Sequence, residues 1–399
     1  MRPSSSPSDG SLFGGVLHRG RVADAVSDAA WVRALLDVEV ALAGATAPPA
    51  AAAAIADACS HILIDVGALG RAAAVHGNPV HPLVAIIREI VPSQAREWVH
   101  VGATTQDVLD TAAMVIARRA VVAVLDDLTA AAEVTAQWAE AYRSAPMMGR
   151  TLLQQAVPIP FGLKAAQWLS GLDAARDRLR ALTFAAQLGG AAGTLAGLAA
   201  DPVEQFAARL GLSAPGLPWH TERSRIADLA GALGIAAGAA GKVARDVTLL
   251  AQTEIGEVTE AAPGGSTAMP HKRNPIAAVS TLAAAAQAPG LVATLMGSLI
   301  AEHERAAGAW HAEWRPLREL LTVAGSAAAW LRECLSGLTV HTDVMRAAVD
   351  RAGWPLENHA SAARPFGHAD AFIDAALRHH RSPHSGPPRA GSPNAADHG

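Results

Sequence analysis

Between Gly102 and Gly149 the chain contains no glycine and one proline, Pro146, close to the end of the interval. Glycine and proline are the residues that most readily end a helix. Thr104 to Ser144 is therefore free to run as one helix of about 40 residues, on the order of 60 Å at 1.5 Å per residue. A second stretch, Thr221 to Ala262, has no proline, and its Ile226, Leu229, Leu233, Val243, Val247, Leu250 and Ile255 recur at three- and four-residue steps. A third helical run begins near Pro160, passes through Trp168 and Leu172, and weakens at Gly189-Gly190. A fourth follows Pro275, a residue suited to the first turn of a helix. Globular helices average about 11–12 residues, so several of roughly three times that length imply an elongated bundle.

Composition points the same way. Half of the chain is apolar, yet aromatics are 4% and Tyr occurs once, so the apolar content is mostly Ala, Leu and Val, which lean towards helix. Strand signals are nearly absent. The expected fold is all-α: an elongated long-helix bundle with an N-terminal helical domain and a shortened C-terminal helical region. The boundaries read as a disordered N-terminus at 1–10, the N-terminal helical domain at 11–110 and the central bundle at 111–345. A C-terminal helical region at 346–381 follows, with Phe366 to His380 as its helix, and a disordered tail at 382–399. Helices apolar on more than one face imply further burial, most simply in an oligomer.

Several classes are excluded. A net charge of −4 leaves no basic footprint for nucleic acid. The most apolar stretch, Ala283 to Ala301, is interrupted by Gln287, Pro289, Gly290, Gly297 and Ser298 and followed by Glu302, so it reads as a buried bundle helix rather than a membrane span. Cys59 and Cys334 lack metal-ligand spacing and fit a reduced cytoplasmic setting. Residues 1–10 are polar and Ser/Pro-rich, unlike a signal peptide. The histidines form no ligand cluster, so no metal is expected.

Four segments could carry chemistry. Gly264-Gly265-Ser266-Thr267-Ala268-Met269-Pro270-His271-Lys272-Arg273-Asn274-Pro275 is a flexible turn that sets a hydroxyl beside two cations and an amide. That serine could move a proton only if cations and backbone N–H groups lowered its pKa. Trp98-Val99-His100-Val101-Gly102-Ala103-Thr104-Thr105-Gln106-Asp107 leads into the first long helix, where free N–H groups favour a carboxylate. Gly149-Arg150-Thr151-Leu152-Leu153-Gln154-Gln155-Ala156 is the third, and Glu302 to Trp314, read as a helix with a charged face, is the fourth. His220-Thr221-Glu222-Arg223-Ser224-Arg225 opens the second long helix; its Arg223 could bind a carboxylate or form a structural ion pair. Glu39, Asp110 and Asp246 carry nothing that separates them from structural charges.

Taken as strings, these segments resemble the fumarase/aspartase superfamily. The first is similar to the GSSxMPxKxN signature, with Thr267 in place of the second serine. The second resembles the His-x-Gly-x-Thr-Ser-x-Asp segment that binds substrate carboxylates, with Thr105 for Ser. In adenylosuccinate and argininosuccinate lyases the third reads Gly-Arg-Thr-His-x-Gln and its histidine transfers a proton; here Leu152 stands there, and leucine cannot. Leu-Gln-Gln at that place, Glu-His-Glu-Arg at 302–305 and Trp314 where the lyases tend to have Arg all resemble the bacterial 3-carboxy-cis,cis-muconate cycloisomerase branch. The resemblance runs from about Leu12 to about Leu338. It implies a homotetramer whose central bundle takes five helices from each subunit, with each active site drawn from three subunits. It further implies a tricarboxylate substrate, lactonised by internal addition of a carboxylate to a C=C bond, with no cofactor. Ser266 would transfer the proton with Lys272 beside it, and His100, Thr104, Thr105, Gln154, Asn274 and Arg223 would bind substrate. Another elimination lyase of the superfamily, or an inactive shortened homologue, are the alternatives the resemblance leaves.

Overall fold

The computed structural model describes residues 12–196, 198, 202–265, 267–269, 271–354 and 366–382. The N-terminal region is built from α1 (Gly14–Leu17), α2 (Arg21–Ala25), α3 (Asp28–Thr46), α4 (Pro49–His61), α5 (Val66–His76) and α6 (Val80–Ile90), closed by a 3-10 turn at Ser93–Trp98. Then come α7 (Thr105–Ala141), the hairpin β1 (Pro146–Thr151) and β2 (Gln154–Pro160), α8 (Phe161–Arg180), α9 (Val203–Leu210) and α10 (Ser224–Leu250). The chain continues through β3 (Val258–Glu260), α11 (Ile276–Ala285), α12 (Ala288–Gly297), α13 (Ala309–Ser336), β4 (Leu338–Val340), α14 (Thr342–Arg351) and α15 (Ala369–Arg381).

The expected first long helix is α7, 37 residues and about 55 Å long. Thr104 caps it in a capping box with Asp107, so the start was written locally as a hydroxyl followed three residues later by an acid. Every residue from Gln106 to Ala117 is buried, which marks this end of α7 as the centre of the subunit rather than one side of it. It packs against α8 and α13, while α10 lies against α8, α11, α12 and α13. Ile116, Leu128, Trp168, Leu172, Leu233, Leu320 and Leu331 are almost wholly buried between these helices. At the joint after the β1–β2 hairpin, Phe161 meets Tyr142 and Trp168 edge-on, with ring centroids 5.5 and 5.8 Å apart.

Three sequence expectations need correction, while the all-α expectation holds with only short strands. The second long helix stops at Leu250 rather than Ala262. Ile255 and Gly256 turn back on Gln252, Gly256 adopts a positive φ of 63°, and Val258–Glu260 is taken up in pairing with Leu338–Val340. Strands are present among the described residues as two antiparallel pairs, β1–β2 and β3–β4. Residues 302–308 are not helical: Glu302 accepts the Ala307 N–H and Gly308 takes φ 113°, so α13 starts only at Ala309. The Ala283–Ala301 stretch is split at Ala286-Gln287, and only 33% of the most apolar window of Ile276–Gly297 is buried within the subunit. This segment and Ser224–Leu250 are long and apolar enough to cross a membrane by length and composition, the latter being mostly buried in the bundle. Ile235, Ile276, Val279, Met296 and Leu299 remain exposed on these elements and just after them.

The expected last helix is borne out as α15. It is fastened to α7 and α8 by His380, which reaches Asp173 at 3.1 Å and Glu133 at 3.2 Å, and by Arg143 with Asp374 at 2.7 Å. The expectations for 1–10 and for the tail from 383 fall outside the described residues, as does much of the segment after Trp354.

Candidate active site

Several buried polar groups converge on the start of α7. Asp107 is fully buried and accepts hydrogen bonds at one oxygen from the backbone of Thr104 and Gly190, both at 2.9 Å. Its other oxygen takes Gly189 N–H at 3.0 Å and His220 Nε2 at 2.6 Å. One carboxylate thus locks the capping residue to a loop more than eighty positions downstream. The fit is tight: Gly190 has φ 69° and a Cβ on it would lie 2.8 Å from the carbonyl oxygen of Gly102.

One turn further along, Asp110 accepts Arg223 Nη1 at 2.7 Å and Nη2 at 3.1 Å, together with Trp310 Nε1 at 2.9 Å. Arg223 also binds Glu313 through Nε at 3.0 Å and through Nη2. The guanidinium is 2% exposed, and burial, which alone would lower its pKa, is overcome by the two carboxylates, which raise it. Glu313 is pushed up by burial and only partly drawn back by Arg223. Of the two roles open to Arg223 in the sequence, the geometry gives the ion pair: its donors are engaged by buried carboxylates and a backbone carbonyl, and it is corrected from ligand to strut.

His100 sits before the helix at φ 64° with Nδ1 2.7 Å from Glu39 Oε1; Glu39 is 1% exposed. Burial opposes an imidazolium, but the hydrogen bond and charge of Glu39, with Asp107, outweigh it, and the His100 pKa is raised; Arg88 acts weakly against them. Thr104 receives Arg305 Nη1 on its hydroxyl, and Arg305 Nη2 reaches the carbonyls of Gly190 (3.3 Å) and Ala191 (2.9 Å). A cation beside a helix N-terminus opposes the helix dipole, so Arg305 and the first N–H groups of α7 together favour an anion between them.

The other predicted residues stand elsewhere. Leu152 and Leu153 form the two-residue turn of the β1–β2 hairpin, with φ 50° and 65° and exposures of 96% and 71%. Such a turn normally takes Asn or Gly, because side chains with a branched bulk strain the left-handed region. Gln154 follows at the base of this turn and is exposed. Lys272 is exposed, and Asn274 pairs with Gly264 through mutual backbone hydrogen bonds of 2.9 and 3.0 Å. The loop is pinned at its roots by Glu260, whose two oxygens accept the N–H groups of Ala277 and Ala278 at 3.1 and 2.8 Å. Arg150 binds Glu257 at 2.8 and 2.9 Å and joins the hairpin to the same root. Ser266 lies outside the described residues.

The structure therefore brings His100, Thr104 and Thr105 together around one helix start. Among the described residues, no hydrogen bond or ion pair joins that group to Gln154 or to the Lys272–Asn274 side of the loop. The sequence segments contained Asp107, His220, Arg305 and Glu313 without giving any of them a role of its own, and Glu39 and Asp110 were set aside. Only Asp107 had a usable signal, three residues after Thr104; the others find partners that no local spacing reveals.

A family model described as "Lyase" matches residues 16–290. Nitrosuccinate lyase of Streptomyces davaonensis is 47% identical over 85% of this chain and 77% of its own length. The 3-carboxy-cis,cis-muconate cycloisomerase of Bradyrhizobium diazoefficiens is 44% identical, covering 85% of this chain and 79% of its own. The crystal structure of 3-carboxy-cis,cis-muconate lactonizing enzyme from Pseudomonas putida superposes with a TM-score of 0.84 at 32% identity, over 92% of this chain and 98% of that one.

Proposed function

We propose, from the premise that the chain belongs to the fumarase/aspartase superfamily of lyases, that it acts as a 3-carboxy-cis,cis-muconate cycloisomerase. The carboxylate oxygen at one end of the diene adds to the C=C bond, and the electron pair moves to the carbon next to another carboxylate. A proton delivered to that carbon completes the lactone, with no atom gained or lost. Negative charge builds beside a carboxylate, so fixed donors supply much of the rate enhancement. The α7 N-terminus with Arg305, Thr104, Thr105 and His100 is suited to hold one carboxylate, and Lys272 and Asn274 to hold another. Ser266 delivers the proton, and no metal or organic cofactor takes part.

Leu152 is the observation that carries this reading. Where the resemblance to adenylosuccinate and argininosuccinate lyases would put a proton-transferring histidine, the hairpin turn is apolar, so in this reading the proton comes from the Gly264–Pro275 loop instead. The strained, exposed Leu152-Leu153 tip and the uncovered apolar side of α11 and α12 support a homotetramer in which one copy's tip enters another's site. Such strain persists where function uses it. The assembly works in the cytoplasm.

A second reading has its own observation: the 47% identity to a nitrosuccinate lyase is slightly above that to the cycloisomerases. In that reaction a proton next to one carboxylate leaves, a C=C bond forms and nitrite departs, giving fumarate. Mixing the purified protein with 3-carboxy-cis,cis-muconate and following the diene absorbance, with nitrite and fumarate measured in parallel on nitrosuccinate, separates the two. Loss of diene absorbance is the expected result. Nitrite release without diene loss transfers the assignment to the lyase, and neither result removes both.

A further inference from the structure

Glu39 lies in the middle of α3 with a relative exposure of 1%. One of its oxygens meets His100 at 2.7 Å, and the other is buried with no hydrogen-bond partner. A buried carboxylate with a single hydrogen bond is costly unless a cation in contact offsets it. The neighbours do not supply one. Arg33 spends Nε on Asp37 and Nη1 on the carbonyl of Cys59, and Arg88 spends Nη2 on the carbonyl of Val99. The thiol of Cys59 is pushed up to about 11, chiefly by burial and then by Glu39 itself, so it stays neutral. The contact that remains is the imidazole.

We propose that Glu39 is a positioning residue: it fixes the His100 ring through Nδ1, favours the imidazolium by its charge in contact, and leaves Nε2–H to meet a substrate carboxylate. This rests on the reading that His100 binds substrate. A carboxylate can only accept, so Nδ1–H donates to Glu39 and the ring orientation is settled. Among the described residues Nε2 has no protein partner. The charged groups facing the ring are Glu39 of α3, Asp107 of α7 and Arg88 of α6, and the two acids outweigh the arginine. Asp107 itself accepts five hydrogen bonds, from Thr104, Gln187, Gly189, Gly190 and His220, which leaves Glu39 as the acid in direct contact. A charge-assisted hydrogen bond from Nε2 is roughly twice as strong as a neutral one. The pair also explains the position of His100 at the entrance to α7, where an imidazolium would otherwise be disfavoured by the helix dipole.

Glu39→Gln keeps the shape and the hydrogen bond but removes the charge. The titration of His100 is read residue by residue from deuterium exchange at imidazole Cε1, followed by mass spectrometry of peptides. In the unaltered chain the midpoint is expected above the ordinary value of about 6.5. In Glu39→Gln it should fall by about one to three pH units. The alkaline limb of kcat/KM should move down with it, each unit costing about tenfold in kcat/KM above the limb. Glu39→Asp, which restores the charge, should return much of the shift. An unchanged midpoint, or a uniform loss of activity with a stationary limb, overturns the proposal. So does a midpoint at or below 6.5 in the unaltered chain, a measurement that stands even if Glu39→Gln fails to fold. If neither substrate turns over, the exchange measurement still decides the role of Glu39, while the reaction assignment falls separately.

Discussion

At the start of α7, Asp107 and Asp110 gather donors from the loop at 189–190, from His220, Arg223 and Trp310, all inside one subunit. The Gly264–Pro275 loop carries the most chemically suggestive string in the chain, yet its own subunit holds it mainly at the roots, through Glu260 and the Gly264–Asn274 pairing. Lys272 and Arg273 stand towards solvent. The contrast separates two kinds of candidate functional residue. The α7 group is preorganised by the fold of one chain, whereas the loop has its chemistry written in contiguous sequence and, among the described residues, is fixed to the rest of the subunit through Glu260 at its root. A mutation in the first region should therefore cost stability whatever it does to activity, and one in the second should act through turnover alone.

The sharpest way to break this contrast is Arg223→Met. It strands two buried carboxylates, so unfolding by heat or denaturant should show a loss of about 3–5 kcal/mol; a loss below about 1 kcal/mol would mean the network is not the strut described. Ser266→Ala should do the reverse. Turnover should fall at least about a hundredfold while the thermal midpoint stays within a degree or two of the parent, corresponding to about 0.5 kcal/mol. A stability change as large as that of Arg223→Met would place the loop in the preorganised class after all. Thr104→Ala tests the boundary between the two. Losing the cap costs about 1 kcal/mol in stability, and KM should rise because the hydroxyl that seats Arg305 is gone; a purely structural cap would leave KM alone. Smallest is Leu152→Ala on the exposed hairpin tip, expected to change the subunit's stability by no more than about 0.5 kcal/mol while altering kcat/KM. If kcat/KM is also unmoved, the tip does not reach a site.

The same contrast explains what could be read before the structure. The start of α7 was legible because a helix N-terminus is a local event: a hydroxyl, three residues, an acid. The loop was legible because its residues are contiguous. The end of α10 was not, since no proline marks it, and Gly256 signals a turn only once Glu257 is known to pair with Arg150 and Val258 with Val340. Residues 302–308 misled for a related reason. Their charge pattern suits a helix, but Arg305 is drawn to Thr104 and to the carbonyls at 190–191, while Thr221 Oγ1 donates to the carbonyl of His303. Arg223 was left between two roles because a lone arginine looks the same whether it awaits a ligand or already holds Asp110 and Glu313. Periodicity reports which face of a helix is apolar; it carries no information about a partner ninety or two hundred residues away.

Those separations also set an order of events in the life of the chain. The partners that complete the cap of α7 lie 82, 83 and 113 positions beyond Asp107, and Arg305 lies 201 beyond Thr104. Closing loops of that size must be met in entropy before any of these contacts rewards it. The body of α7 can wind early from its own sequence, but its first turn cannot be finished until most of the chain has been synthesised and folded back. Refolding should accordingly recover helicity well before it completes this end of the molecule. A nascent chain released before about residue 305 would be largely helical but would lack the contact of Arg305 with Thr104.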